Sequence, residues 1–211
     1  LIIKTSEISK MGDNRYRGLL INGLSGLKSA HLIGTKSSDG VENLALFSSV
    51  FHLGADPSLM GMIVRPDVSP RHTYSNILNS KTYTINTVES SFFVKAHHTS
   101  ARFPKDVSEF NECGLSSHYH DGICAPFVME SRLKWGMNLV EVINITHNGT
   151  HLIIGEVTII DIEEGILGAD GHINFDQINP VVVSGLDEYH SVNSGTRLTY
   201  AKPEHSPTVK V

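Results

Sequence analysis

Arg65 and Arg71 bracket a proline-broken stretch, and His72-Thr73-Tyr74-Ser75-Asn76-Ile77 follows directly. Pro66 and Pro70 force a loop between them. The residues beyond predict a short helix over Thr73 to Asn79, with Ser69 as its cap and Pro70 just inside. Free N–H groups at a helix start favour an anion. Arginine adds a planar, permanently charged donor fork that matches a phosphate. A dianionic phosphate monoester is the guest this segment suits. The plain alternative is a solvated charged turn.

A second segment, Asn43-Leu44-Ala45-Leu46-Phe47-Ser48-Ser49, sets small and hydroxyl residues beside one aromatic. A flat ring could lie against such a backbone while serine hydroxyls reach its polar atoms, although an ordinary core strand has the same composition. The third segment is Ala96-His97-His98-Thr99-Ser100-Ala101-Arg102-Phe103-Pro104. Adjacent histidines cannot share one helix face, and no HExxH spacing accompanies them. His118 and His120 have a spacing that suits metal binding on a strand, but the sequence offers no clear third ligand, so no metal is expected. There is no GxGxxG after a strand, no P-loop and no GxSxG, so neither a dinucleotide-binding α/β unit nor a serine hydrolase is indicated.

The elements that must position these segments are mostly strands. His31 to Thr35 reads as a strand, Ser37-Ser38-Asp39-Gly40 as a turn, and Asn43 to Phe51 as the returning strand of a hairpin. Asp56-Pro57 breaks the pattern before a strand from Leu59 to Val64. Tyr83 to Val88 is again β. Phe92 to Thr99 and Asp106 to Cys113 read as short helices, the second ending at Gly114. Met129 to Trp135, Met137 to His147 and His151 to Ile162 are candidate strands, the last two joined at Asn148-Gly149. A turn follows at Gly168 to Gly171. An apolar run, Val181 to Val183, precedes a polar, loop-like tail. Many short strands with few helices predict a mainly β fold closed, or nearly closed, into an antiparallel barrel. The run Leu152-Ile153-Ile154, then Val157 to Ile160, suggests burial on both faces, one inside the barrel and the other against a second subunit.

The bulk numbers agree. With 211 residues, 40% hydrophobic and 18% charged, the chain suits one β-rich globular domain, not disorder. A net charge of −5 argues against general nucleic-acid binding. No apolar run is long enough to span a bilayer, and no signal peptide is visible, so a soluble, cytoplasmic protein is expected. The sequence does not begin with Met, which points to a trimmed chain. Cys113 and Cys124 read as free thiols, and the sequons at Asn144 and Asn148 as chance.

The ordered set of motifs resembles the flavin reductase-like, FMN-binding split-barrel family. That family shows a turn glycine, "NLAPFS", a "DP" break, then "R-P-x-x-x-P-K-D-T-x-x-N-I". Here these are similar to Gly40, Asn43 to Ser48, Asp56-Pro57, and Arg65-Pro66 through Asn76-Ile77. Thr99-Ser100-Ala101, Glu109-Phe110 with Cys113-Gly114-Leu115, Ile154-Gly155-Glu156-Val157 and Ser184 to Tyr189 resemble later family segments. The resemblance spans about residues 20–200 of a single domain. It departs at Leu46, where proline is usual, at Arg71-His72, where Lys-Asp is usual, and at Phe51, where asparagine is often seen.

The resemblance implies a mainly β, Greek-key-like split barrel with short helices, acting as a homodimer. It implies FMN as cofactor and NADH or NADPH as co-substrate, in an NAD(P)H:flavin reductase where the flavin does the chemistry and no catalytic side chain is obligatory. Asn43, Ala45, Leu46 and Phe47 would line the flavin ring, largely by backbone groups, with Ser48 and Ser49 on its polar atoms. Arg65, Arg71, His72 and Thr73 would hold the phosphate. Thr99, Ser100, Ala101 and Phe103 would close the ring side, from the same or the partner subunit, and Tyr189 would cover the pocket. The other readings are a flavoredoxin-like electron carrier reduced by a protein partner, and a non-catalytic ligand-binding barrel. A monooxygenase or electron-transfer protein is the implied larger partner.

Overall fold

The computed structural model describes residues 2–8, 10–66 and 71–210. Two helices, α1 (Thr5–Ile8) and α2 (Asn14–Gly23), come first, and neither was expected. Helix α2 starts where Asp13, in extended backbone, accepts the Arg15 N–H at 2.7 Å. Next come β1 (Lys28–Ser29), β2 (His31–Lys36), β3 (Glu42–Phe47), β4 (Val50–Ala55) and β5 (Ser58–Val64). The expected β2–β3 hairpin is present, with Gly40 at φ 85° in its turn. The single strand expected from Asn43 to Phe51 is instead two, broken at Ser48-Ser49. A tight turn at Asp56-Pro57 folds β4 back on β5.

Helix α3 (His72–Ser80), β6 (Thr82–Thr87), α4 (Phe93–His98) and α5 (Glu109–Cys113) follow. Ser69 and Pro70 lie outside the described residues, and Arg71 occupies the N-cap position of α3. Helix α5 starts later than Asp106 and ends, as expected, on Gly114 at φ 66°. Then come β7 (Ser117–His118), β8 (Phe127–Val128), β9 (Leu133–Ile145), β10 (Thr150–Ile162), α6 (Phe175–Ile178), β11 (Val181–Ser184) and β12 (Glu188–Ser191). The two strands expected over 129–135 and 137–147 are one, β9, running straight through Gly136. That glycine is a packing site, not a turn: a Cβ there would lie 2.7 Å from Ile159 Cγ2 and 3.0 Å from Ile123. Cys113 and Cys124 are both unpaired.

Seven strands form one antiparallel sheet in the order β3-β2-β6-β9-β10-β5-β4. β3 and β4 are its opposite edges, yet only Ser48 and Ser49 separate them in the chain. Three peptide steps span at most about 11 Å. The sheet must therefore curl until its two edges stand side by side. Ser49 carries the β4–β5 pairing one step beyond Val50 into the link: its Oγ donates to the Ile63 carbonyl at 3.0 Å and accepts from the Ile63 N–H at 3.3 Å. The result is an antiparallel barrel, split along one line.

Ile33, Met62, Tyr83, Ile85, Met137 and Ile153 come from strands all round the sheet and fill the interior, where Ile77 of α3 joins them. Leu32, Leu44, Phe92, Phe110, Val128 and Val181 form a second core outside β2 and β3, under α4, α5 and β11. β2 is thus buried on both faces, since neighbouring Leu32 and Ile33 point opposite ways and both are fully buried. Among the described residues no helix is long and apolar enough to cross a membrane.

The closest approach on β2 is at Gly34, where a Cβ would lie 2.1 Å from the Pro126 carbonyl and 2.5 Å from Thr84 Oγ1. Thr84 Oγ1 donates to that same carbonyl at 2.6 Å, which fixes both obstacles. Gly34→Ala is expected to cost about 1–3 kcal/mol or more, seen as a lower urea midpoint. Gly12→Ala, with open space around it, should leave the midpoint unchanged. Equal midpoints for the two variants would contradict this packing.

Candidate functional site

The seam opens into a cleft of about 910 Å³. Its floor is the end of β3, with Asn43, Ala45, Leu46 and Phe47, and the seam residues Ser48 and Ser49. One wall is the start of α3, with Arg71, His72, Thr73 and Tyr74, next to Arg65 beyond β5. The other wall is the loop after α4, with Thr99, Ser100, Ala101 and Phe103. Three segments far apart in sequence therefore meet on one hollow. Tyr189 alone among the expected site residues does not line it. Its hydroxyl pairs with His97 Nδ1 at 2.9 Å, and its ring packs on Phe93. Burial pushes its phenol up to about 12. Gly185 and Leu186, from the turn before it, reach the cleft instead.

A buried polar network fixes the α3 wall to the floor. Asn43 Nδ2 donates to Thr35 Oγ1 at 3.1 Å and to Thr73 Oγ1 at 2.9 Å. Asn76 Nδ2 donates to the same Thr35 Oγ1 at 3.1 Å. The Asn43 amide hydrogens are therefore occupied in bracing the helix start against β3. Ser49 is likewise occupied by Ile63 of β5. Thr99 Oγ1 donates to the Ala96 carbonyl at 2.8 Å, and Ser100 Oγ to the His97 carbonyl at 2.6 Å, so both hydroxyls close the end of α4. These hydroxyls keep lone pairs for a guest but have used their protons.

The cleft is cationic in a chain of net charge −5. Arg65, Arg71, His72, Arg102 and Lys105 line it against one carboxylate, Glu109. Among the described residues Arg71 Nε is buried without a partner. It lies at the N-terminus of α3, where the first-turn N–H groups have no acceptor within the helix. A guanidinium nitrogen with no partner among the described residues, at a helix start, is suited to an anion.

The sequence reading named no role for Glu109, Arg102, Lys105 or Asn22, which also line the cleft. Glu109 is the most consequential of these. Its buried Oε2 accepts the Leu44 N–H at 2.9 Å, linking α5 to the cleft strand. Burial holds its carboxyl above the usual range, against the opposing pull of that hydrogen bond and of His72. In the sequence Glu109-Phe110 is only part of a family-like motif, and nothing local marks a helical glutamate as a strand anchor.

The fold and site together define a split antiparallel barrel with a cationic cleft at its seam. The family model described as "Flavin reductase like domain" matches residues 28–179, and the chain belongs to that family. The crystal structure of a candidate flavin reductase with split barrel domain, from Shewanella frigidimarina NCIMB 400, is 46% identical. It superposes with a TM-score of 0.91 over 95% of this chain and 100% of that one. Nitrilotriacetate monooxygenase component B from Bacillus cereus superposes at 0.83 with 19% identity, over 94% and 98% of the two chains. Flavoredoxin of Desulfovibrio vulgaris (Miyazaki F) superposes at 0.71 with 20% identity, over 84% and 91%. At those identities the last two speak for the fold alone.

Because the folded-state pKa of Glu109 is raised, the folded protein holds that proton more tightly than the unfolded chain. Its ionisation therefore lowers stability as pH rises from the unfolded carboxylate value through the raised folded one. Glu109→Gln keeps an oxygen for the Leu44 N–H and removes the titration. The variant is expected to gain stability relative to the wild type as pH rises through that window. Parallel stability–pH curves from chemical denaturation would refute this account of Glu109.

Proposed function

We propose that the cleft binds FMN and that the protein is an NAD(P)H:flavin oxidoreductase. The observation that carries this reading is the position of Arg71. Its Nε, without a partner among the described residues and beside the α3 N-terminus, shares one cleft with the bare strand Ala45–Phe47. A phosphate suits the first and a flat ring the second. Arg65, Arg71, His72 and Thr73 hold the phosphate. Arg71 and Arg65 give charged forks, and Thr73 is held in place by Asn43. Ala45, Leu46 and Phe47 support the ring, and Ser48 faces its polar atoms. Thr99, Ser100, Ala101 and Phe103 close the far wall. Bound FMN supplies the hydride chemistry with a nicotinamide, and the protein supplies orientation and electrostatics.

Strand edges limit where a second subunit could sit. Phe51 and Leu53 on β4, Val140 and Ile143 on β9, and Ile160 on β10 are exposed apolar side chains, with β5 lying between β10 and β4. A second copy of the chain covers this face in our reading, giving the homodimer. Unpaired cysteines suit a reducing compartment such as the cytoplasm. Reduced flavin would then pass electrons to a monooxygenase or another electron-transfer partner.

Titration of the purified protein with FMN, followed by flavin fluorescence, tests the site. Arg71→Ala is expected to weaken FMN about 10–100-fold, the size of a lost charged hydrogen bond, and to leave riboflavin, which lacks the phosphate, unaffected. Equal losses for both ligands would remove the phosphate assignment. NADH or NADPH added to the loaded protein should bleach the flavin band faster than it bleaches free FMN. Tightly retained FMN with no such acceleration would favour the electron carrier, and a protein that ignores FMN would end the reading altogether.

A further inference from the structure

Beginning at β7 (Ser117–His118), the side chains of residues 117–120 alternate between two neighbours. Ser117 Oγ and Tyr119 OH both donate to Glu42 Oε1, at 2.9 and 2.6 Å. His118 and His120 point the other way, to Asp161 of β10. A period of two places both imidazoles on one face, and the Glu42 clamp holds that register. Phe127 of β8 packs on both rings, with centroids 5.5 and 4.9 Å away. The pair that lacked a third ligand in the sequence thus acquires one from a strand 41 residues further on.

The three ligand atoms converge. His118 Nε2 and His120 Nε2 are 3.3 Å apart. Asp161 Oδ2 is 2.7 Å from His120 Nε2 and 3.4 Å from His118 Nε2. Ligand atoms around a tetrahedral Zn²⁺, with bonds of about 2.0–2.1 Å, stand about 3.3 Å from one another. Two of the three separations already have that length, and the third is a hydrogen bond that a cation would open by about 0.6 Å. His118 Nδ1 is buried with no partner among the described residues, so Nε2 is the only nitrogen of this ring with polar company. Burial, then the Lys134 charge, lowers His118, against the pull of Asp161. Burial alone would raise Asp161, but the His120 hydrogen bond and Lys134 hold it below the usual carboxylate range. The side chains remain 22%, 33% and 28% exposed, which leaves room for water as a fourth ligand.

We propose that His118, His120 and Asp161 form a binding site for a divalent first-row transition cation, Zn²⁺ by its ligand spacing, outside the flavin-type cleft. None of the three lines that cleft, so the site is independent of the function proposed above. It joins β10 to the 117–120 segment and, through Glu42, to β3, so cation binding would brace the barrel between strands that share no ladder. Lys134 is the opposing charge. Its Nζ lies 3.4 Å from Asp161 Oδ2 and donates to the Ser131 carbonyl at 2.6 Å.

Metal-stripped protein is to be titrated with Zn²⁺ by calorimetry and with Co²⁺ by visible absorption. One cation per chain, with Co²⁺ ligand-field bands of a low-coordinate site, is expected. His118→Ala with His120→Ala should weaken Zn²⁺ at least about 100-fold and abolish those bands, while Lys134→Met tightens it. A wild type that binds no better than the double variant overturns the proposal. Crystals of the wild type soaked in Zn²⁺ give a reading that no variant's folding can confound. An anomalous peak between the three side chains supports the site, and Zn²⁺ only at other histidines refutes it.

Discussion

The two-residue link between β3 and β4 is the constraint on which this molecule turns. A flat seven-stranded sheet would hold its edge strands far beyond the reach of Ser48 and Ser49. Joining them so briefly leaves curling as the only solution. The edges then come together without forming a ladder, while Ser49 anchors the link to β5 through side-chain bonds to Ile63. An open seam results, with free strand backbone beside it. The cleft is therefore a consequence of how the barrel closes, not a separate feature added to it.

Charge is then organised around that seam. The chain is acidic overall, yet its cleft gathers three arginines, a lysine and a histidine around one buried glutamate. The cations sit on loops and a helix start, where long side chains can reach inward. The strand floor contributes neutral backbone. Glu109 is set apart from this pattern because it acts on backbone, accepting the Leu44 N–H under the floor. The Asn43–Thr35–Asn76 network does the same for the α3 wall. Polar groups below the surface thus hold rigid what the surface offers to a ligand.

Several elements could be read locally and several could not. The β2–β3 hairpin, the Asn-Gly turn before β10 and the glycine at the end of α5 follow from turn chemistry, which depends on neighbours in sequence. The break inside Asn43 to Phe51 could not be read this way, because both halves have strand composition and only barrel closure separates them. Gly136 looked like punctuation, yet its missing side chain makes room for Ile159 and Ile123. Helix α2 escaped because none of its residues is buried, so its sequence carries no strong apolar face. Tyr189 was expected over the cleft but is held by His97, a contact between residues 92 positions apart.

The amino-acid sequence alone determined the β-rich class, the principal turns, the family and the types of group that could hold a phosphate, since each depends on residue identity and short spacing. Only the tertiary structure decided which hydroxyls and amides remain free. Hydrogen bonds such as Asn43 to Thr73 and Ser49 to Ile63 consume donors that look available in the linear chain. It also decided that Asp161 meets His118 and His120. Side-chain partners across a barrel are set by sheet order and register, which no local pattern encodes.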